Sequence, residues 1–509
     1  MRGSVGLLAA VGLCALVGCD LGKGTQAPPP ARPFAGIKLT VAAVGDPAIL
    51  KTVAPQCGDW QREHDAEVAI HQGAVELGQA AEVADVLLIP ADRLGALVDV
   101  GALAVLPQSA VRPTAPKADE AGEERGPPAD RFAFDDVLPA FRDQVTRYGK
   151  DRMALPYGGS ALVLVYRRDA MAGEANRKAA DGAGLRLEPP ATWEQLDALA
   201  GFFQGRDWDS DGSPDSGIAV ALGKDTEGLG EDTLLARAAG AGLHPDQFSF
   251  LFDADTMQPR IASPPFVEAL AALAAWKTLG PPGAEGFDAE AARRAFREGK
   301  VALLIDRAER AGNWADPKAR VAVGVARLPG SRRLYDPDRR AWEEPPAPNR
   351  PSYLPGGGGW LIGISSRVQG LKGKAALELI KYLTGPEASA RIRADRAFPT
   401  LPVRADQLVA PDQRAIPGVV SLQWSKAVAE TLTAPRVVPG LRIPGADGYL
   451  ADLEVGRVAA VGGEPAESAL RGVAAAWAER TKRLGTARQL WHYRRSLNTF
   501  ETPADPPAR

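Results

Sequence analysis

The sequence predicts an α/β fold in two lobes, and three features of it carry that reading. Short apolar runs at 38–44, 67–71, 85–90, 301–305 and 321–328 alternate with segments of helical spacing, the pattern of a largely parallel sheet flanked by helices. Pro156 and the pair Gly158-Gly159 make a bend at 153–160 that feeds a valine-rich run at 161–166, as expected where a chain crosses between lobes. Polar residues follow the apolar runs, with Gly45 and Asp46 after the first and Asp92 just after Pro90, which is where open α/β sheets place ligands.

Each element follows from its residues. Arg2, an apolar run at 5–17 and Leu16-Val17-Gly18-Cys19 have the layout of a secretory signal, too short for a membrane span. Residues 20–36, with Pro28-Pro29-Pro30 and Pro33, read as an extended tether. A helix is expected over 49–64, weakened by Pro55 and Gly58, and another over 134–148. Thr192 and Gln195 form a capping box that starts a helix running to Phe203. Apolar faces at Phe266, Leu270, Leu273 and Trp276, at Ala376, Leu379, Ile380 and Leu383, and at Leu470, Val473, Ala474, Trp477 and Leu484 mark further helices, with one more over 287–299. Gly356 to Gly359 enter a strand at 360–364; without a following Lys-Ser/Thr or helix this run is not a nucleotide motif, and it suits close backbone approach or a hinge. Three polar stretches, 108–131, 171–190 and 329–351, read as surface insertions.

Composition narrows the function. The 509 residues carry a net charge of −3, 45% hydrophobic and 24% charged, so no nucleic-acid footprint is present. Of three cysteines, Cys14 leaves with the signal, Cys19 sits at the cut site, and Cys57 has no internal disulfide partner and is expected buried. No Cys/His metal spacing occurs. Asp207, Asp209 and Asp211 alternate before Gly212, like the first half of a calcium loop, with Asp215 as a further ligand. Ile218 stands where that loop needs its bidentate Glu, so an EF-hand is not expected; a structural Ca²⁺ site and an acidic, solvated turn both remain open, and no other cofactor is required. The four histidines form no His-Glu-x-x-His, and no Gly-x-Ser-x-Gly elbow precedes a helix.

Six segments, taken in order, resemble the solute-binding lipoproteins of bacterial ABC importers, the family 1 or sugar-binding type. Residues 85–106 resemble its strand leading to a Gly-Ala-Leu-x-x-Leu-Pro turn, and 148–169 its Tyr-Gly-Gly-Lys-x-Tyr-Ala-Leu-Pro…Tyr-Asn-Lys-Asp hinge. Residues 189–199 resemble Pro-Pro-x-Thr-Trp-Asp-Glu-Leu, and 296–306 resemble Phe-x-x-Gly-x-x-Ala-Met. Residues 358–365 and 375–387 resemble Gly-Gly-x-x-x-x-Ile-Ser and the Ala-x-x-Phe-Ile-x-x-Leu-Thr-x-Pro-Glu helix. Leu-Val-Gly-Cys resembles the bacterial lipobox, which implies lipidation of Cys19.

The resemblance implies a type II periplasmic-binding-protein-like fold with a cleft between lobes. It divides the chain into a signal (1–19), a tether (20–36), one lobe (37–157 and 352–397), a second lobe (158–328 and 398–500) and an insertion (329–351), with crossings near 156–159, 328 and 398. The implied protein is an extracytoplasmic, lipid-anchored monomer that takes a small solute, a carbohydrate by expectation, and hands it to ABC permease subunits. Candidate ligand residues are Asp46, Asp92, Tyr157, Ser160, Asp306, Trp360, Arg442 and Tyr449, because sugars need flat aromatic faces and charged hydrogen-bonding groups. One departure is marked: where the family often has Gly-Pro-Trp, this chain has Arg307-Ala308-Glu309, with Trp314 a candidate replacement for the aromatic. The alternatives are a secreted carbohydrate-active enzyme with paired carboxylates and a binding or sensor lipoprotein without an importer.

Overall fold

The computed structural model describes residues 32–111, 132–245, 249–315, 323–394, 400–409, 419–498, 501–503 and 505–507. The signal, Cys19, most of the tether and insertion 112–131 lie outside these residues, as does the crossing expected near 398.

Two mixed sheets form the two lobes. The chain starts with β1 (Lys38–Val44), β2 (Glu67–Val75) and β3 (Val86–Pro90), with β1 parallel to both others. It then reaches β4 (Leu155–Gly159) and passes through Ser160-Ala161 into β5 (Leu162–Arg167). The second sheet is completed by β6 (Ser216–Ala219), β7 (Val301–Arg307) and β8 (Val323–Arg327). The chain returns to the first sheet as β9 (Gly359–Ile364). The orders are β2-β1-β3-β9-β4 and β8-β5-β7-β6. The sheets are less parallel than expected. Returning from the other lobe, β9 runs antiparallel to β3 and β4, and β5 is antiparallel to β7 and β8.

The crossing is not the flexible bend that Pro156 and the glycines suggest. Residues 155–159 are the last strand of the first sheet, buried throughout. Gly158 is required there for packing, since a Cβ would meet the Thr400 Cβ at 2.5 Å. β2 is an edge strand whose side chains mostly face solvent, so it is not the buried run expected at 67–71.

Helices cover the sheets much as their apolar faces direct. Leu50–His64 and Gly370–Thr384 pack on the first sheet, with Pro55 and Gly58 accommodated inside the first of them. Cys57 is buried there. The capping box at Thr192 and Gln195 is formed, and Asp288 caps the helix Ala289–Arg297. The second lobe adds a helical layer, Leu229–Gly242, Pro264–Ala275, Ala446–Val461 and Ala466–Leu484. Residues 134–148 are not one helix; a six-residue π-turn (Ala140–Val145) follows Pro139 and leads into a short antiparallel pair, Arg147–Tyr148 with Asp151–Arg152. Two expected insertions are ordered structure. Residues 168–182 form two helices, and Leu334–Asp336 pairs with Ala341–Glu343 in a hairpin. Asn349 ties that hairpin to the second lobe by donating to the Gly240 and Leu243 carbonyls.

Candidate functional site

Charged side chains gather between the lobes where β3 and β7 end and β9 begins. Pro90 closes β3, and the chain turns through Ala91-Asp92-Arg93 into the helix Leu94–Asp99. Opposite, β7 ends at Arg307 and continues into the turn Ala308–Asn313, which carries Glu309. Asp232, from the first turn of Leu229–Gly242, meets Arg307 at 2.6 Å. Tyr353 hydrogen-bonds to Asp232 as well, and lines a neighbouring cavity of about 530 Å³ with Leu243, Pro439, Arg442 and Tyr493.

Contacts across the crevice hold the lobes together. Arg93 pairs with Asp447 at the start of Ala446–Val461, and the Ser160 hydroxyl donates to Glu309. Asp92 keeps 23% of its side chain exposed and Arg307 18%. Among the described residues, Asp92 Oδ1 and Arg307 Nε are two of the side-chain polar atoms buried without a hydrogen-bond partner. Burial pushes the Asp92 carboxyl up to about 6, helped by the Asp447 and Asp232 carboxylates against the pull of Arg93 and Arg307. Burial raises Asp232 and Glu309 too, outweighing Arg307 beside them. An acceptor on one lobe and a donor on the other are thus buried between the lobes without hydrogen-bond partners.

The expected ligand residues fall into three placements. Asp92, Ser160 and the half-buried Trp360 lie at the crevice, Trp360 opposite Pro90 in the sheet. Asp46 follows β1 in an exposed turn, where its carboxylate accepts from the Ala48 amide. The others are committed elsewhere. Tyr157 is buried and bonded to Thr52. Asp306 is fully buried, paired with Arg293 at 2.8 Å and accepting from Trp314 Nε1; Trp314 is thus core and does not supply the missing aromatic. Arg442 is buried and donates to the Val145 and Ser496 carbonyls. Tyr449 packs edge-on against Phe252 and Trp477, its hydroxyl on Thr481. Arg307, Glu309, Asp232 and Tyr353 were not among the expected residues; the departure at 307–309 was the visible signal for two of them.

The acidic loop is compact. Carboxylate oxygens of Asp207, Asp209 and Asp215 lie within 4.8 Å of one another, close enough to share a cation, while Asp211 turns to accept from the Ser213 amide. Burial, then the Asp209, Asp211 and Asp207 charges, raise the Asp215 carboxyl to about 6 despite the Trp208 amide it accepts from.

The family model described as bacterial extracellular solute-binding protein matches residues 66–412. The chain belongs to this family. Solved structures agree on the two-lobed fold. An ABC transporter solute-binding protein from Agrobacterium radiobacter K84, in complex with ribitol, is 19% identical with TM-score 0.60, covering 89% of this chain and 100% of its own. The sugar-binding protein MalE from Xanthomonas citri is 17% identical with TM-score 0.59, covering 88% and 99%. A solute-binding protein from Thermotoga lettingae bound with α-D-tagatose is 19% identical with TM-score 0.57, covering 88% and 100%. None of the curated proteins compared with the chain is a significant match. Open sheets of this kind place ligands at the carboxyl ends of their strands, and in this solute-binding protein Asp92 follows the carboxyl end of β3. Among the described residues no helix is long and apolar enough to cross a membrane.

Proposed function

We propose that this solute-binding protein is the receptor of an ABC importer, holding a small polyhydroxylated solute between its lobes and passing it to permease subunits. The observation that supports this best is the pair of unsatisfied atoms buried between the lobes, Asp92 Oδ1 from the first lobe and Arg307 Nε from the second. A hydroxyl-rich guest can donate to one and accept from the other. Only a ligand touching both lobes favours the closed arrangement. The work is binding and hinge closure, with no bond broken. Cys19 carries the lipid, the tether holds the body outside the cytoplasm at the membrane, and the protein acts as a monomer.

The test is a thermal-shift panel of ribitol, tagatose, maltose and related neutral sugars, followed by small-angle scattering and product assays. A ligand at 100 times its Kd stabilises by about 2.7 kcal/mol, so a rise of a few degrees with compaction and no turnover is expected. Steady product formation from any member overturns the reading in favour of an enzyme.

We also propose that Asp207, Asp209 and Asp215 hold a structural Ca²⁺, with Asp211 fixing the turn. Three carboxylates this close repel one another without a cation. Adding Ca²⁺ to chelator-treated protein should raise the Tm; an unchanged Tm would remove the metal.

A further inference from the structure

The charges at the crevice do not balance, and the imbalance bears on the kind of ligand. Arg293 answers Asp306, and it shares Glu227 with Arg310. Arg307 answers Asp232. Arg93 answers Asp447. These four arginines are matched by four carboxylates, Asp306, Glu227, Asp232 and Asp447. Two carboxylates remain in excess of the cations: Asp92, 3.8 Å from the Arg93 that already pairs with Asp447, and Glu309, beside the Arg307 that already pairs with Asp232. The side-chain hydrogen bonds to Glu309 come from neutral donors, the Ser160 hydroxyl and, at 3.4 Å, the Ala161 amide. Asp92 Oδ1 lies 3.8 Å from Arg93 Nε, beyond hydrogen-bond distance, and accepts from nothing.

Burying an ionised carboxylate without a counter-charge is costly. A neutral hydroxyl can satisfy the hydrogen-bonding need of Asp92 Oδ1 but leaves the surplus charge in place. An ammonium satisfies both.

Resting on the importer-receptor reading above, we propose that the solute is an amine-bearing carbohydrate or polyol whose ammonium group docks on Asp92 while its hydroxyls reach Arg307. The same surplus explains why an aromatic platform is replaced by Glu309 in the segment 307–309. Neutral sugars gain from flat apolar faces, whereas a cationic guest gains from a carboxylate. Glu309 then lies on the second-lobe side of the guest and Asp92 on the first, so that closing the lobes brings both carboxylates toward one positive charge.

Isothermal titration with matched pairs tests this: D-glucosamine against D-glucose, D-galactosamine against D-galactose, and the glucosamine disaccharide against cellobiose, at pH 7.5. The amine-bearing member of at least one pair should bind at least tenfold more tightly than its neutral partner. Asp92→Asn should bring that pair within threefold, and Asp92→Glu, which keeps the charge, should retain most of the preference; melting curves of both variants establish that they fold. Neutral partners binding as tightly in every pair would overturn the cationic class and leave the receptor reading standing. A preference that survives in Asp92→Asn would overturn the assignment to Asp92. Binding by neither set would overturn the cationic class, while the receptor reading falls only if the ribitol, tagatose and maltose panel gives no stabilisation either.

Discussion

Gly357 lies against the turn that presents Asp92, so closely that a Cβ would stand 2.6 Å from the Asp92 amide nitrogen. Its φ of +73° is also in the left-handed region, where a side chain costs about 1–2 kcal/mol. The glycine run before β9 is therefore a backbone-to-backbone contact that sets the height of Asp92 in the crevice. Gly357→Ala should lower stability by about 2–3 kcal/mol and weaken solute affinity by more than tenfold. Chemical denaturation and calorimetric titration of the same preparation check both. A full loss of stability with unchanged affinity would show that Asp92 is not positioned by this contact.

Asp92 also makes stability depend on pH. Its carboxyl rises in the fold to about 6 from an ordinary 3.8. A raised acid favours the folded state where it is protonated, so its contribution is complete below pH 3.8 and is lost as pH climbs through about 6. Asp92→Asn, which carries no such charge, should be the more stable protein at pH 7.5, by about 2 kcal/mol after allowing for partial exposure. The advantage should shrink to nothing near pH 4. Urea melts of both proteins at pH 4, 5, 6 and 7.5 measure it. Equal stabilities at every pH would mean the carboxylate is already solvated.

The last helix acts in the opposite sense. Thr486–Leu497 is fastened to the first lobe through Asp99, whose Oδ1 is 2.7 Å from His492 Nε2 and 2.5 Å from Arg488 Nε. The His492 Nδ1 side faces the Tyr148 hydroxyl at 3.0 Å. Burial opposes the Asp99 charge, yet the His492 and Arg488 hydrogen bonds outweigh it and hold the carboxyl well below its usual range. Burial lowers His492 below 6.5, outweighing Asp99. Both groups bind protons less readily in the fold, so stability falls with pH, first below 6.5 through His492 and again below 3.8 through Asp99. Asp99→Ala should cost about 3–5 kcal/mol at pH 7 by stranding two buried donors, and the variant should have a flatter acid profile. Denaturant melts from pH 3 to 7.5 are the measurement.

How much of this was legible in the residues depends on what each feature needs. Continuous apolar runs place β1, β3, β5, β7 and β9, strands buried for most of their length on both faces, and period-3.6 faces place the helices over Leu379 and Leu470, because burial leaves a local trace. The capping box at Thr192 is local too. Sheet direction is not: that β9 returns antiparallel depends on where the chain comes back from. Of the residues gathered between the lobes, Asp92 and Ser160, next to recognisable turns, and Trp360 are the ones legible in the sequence. Asp306, Arg442 and Tyr449 have residue types suited to a sugar, yet Arg293, the Val145 and Ser496 carbonyls, and Thr481 occupy their polar atoms. Those partners lie 13 to 297 positions away, beyond any spacing rule. Asp232 and Tyr353 reach the crevice from segments with no motif at all.

Asp306 provides the sharpest separation between a structural and a ligand-binding acid. It is fully buried with Arg293, and both guanidinium bonds to it are 2.8 Å. Arg293→Met would leave the Asp306 carboxylate with Trp314 Nε1 as its remaining side-chain donor, and should cost about 3–5 kcal/mol. The double variant Arg293→Met with Asp306→Leu removes both charges at once and should recover most of that loss, since replacing a buried pair by apolar groups is often close to neutral. Glu227 then keeps Arg310, at 3.5 Å, as its partner. Solute affinity in the folded double variant should fall less than threefold, measured by calorimetric titration below the melting range. A loss of more than a hundredfold in affinity, with stability recovered, would place Asp306 on the ligand instead of in the core.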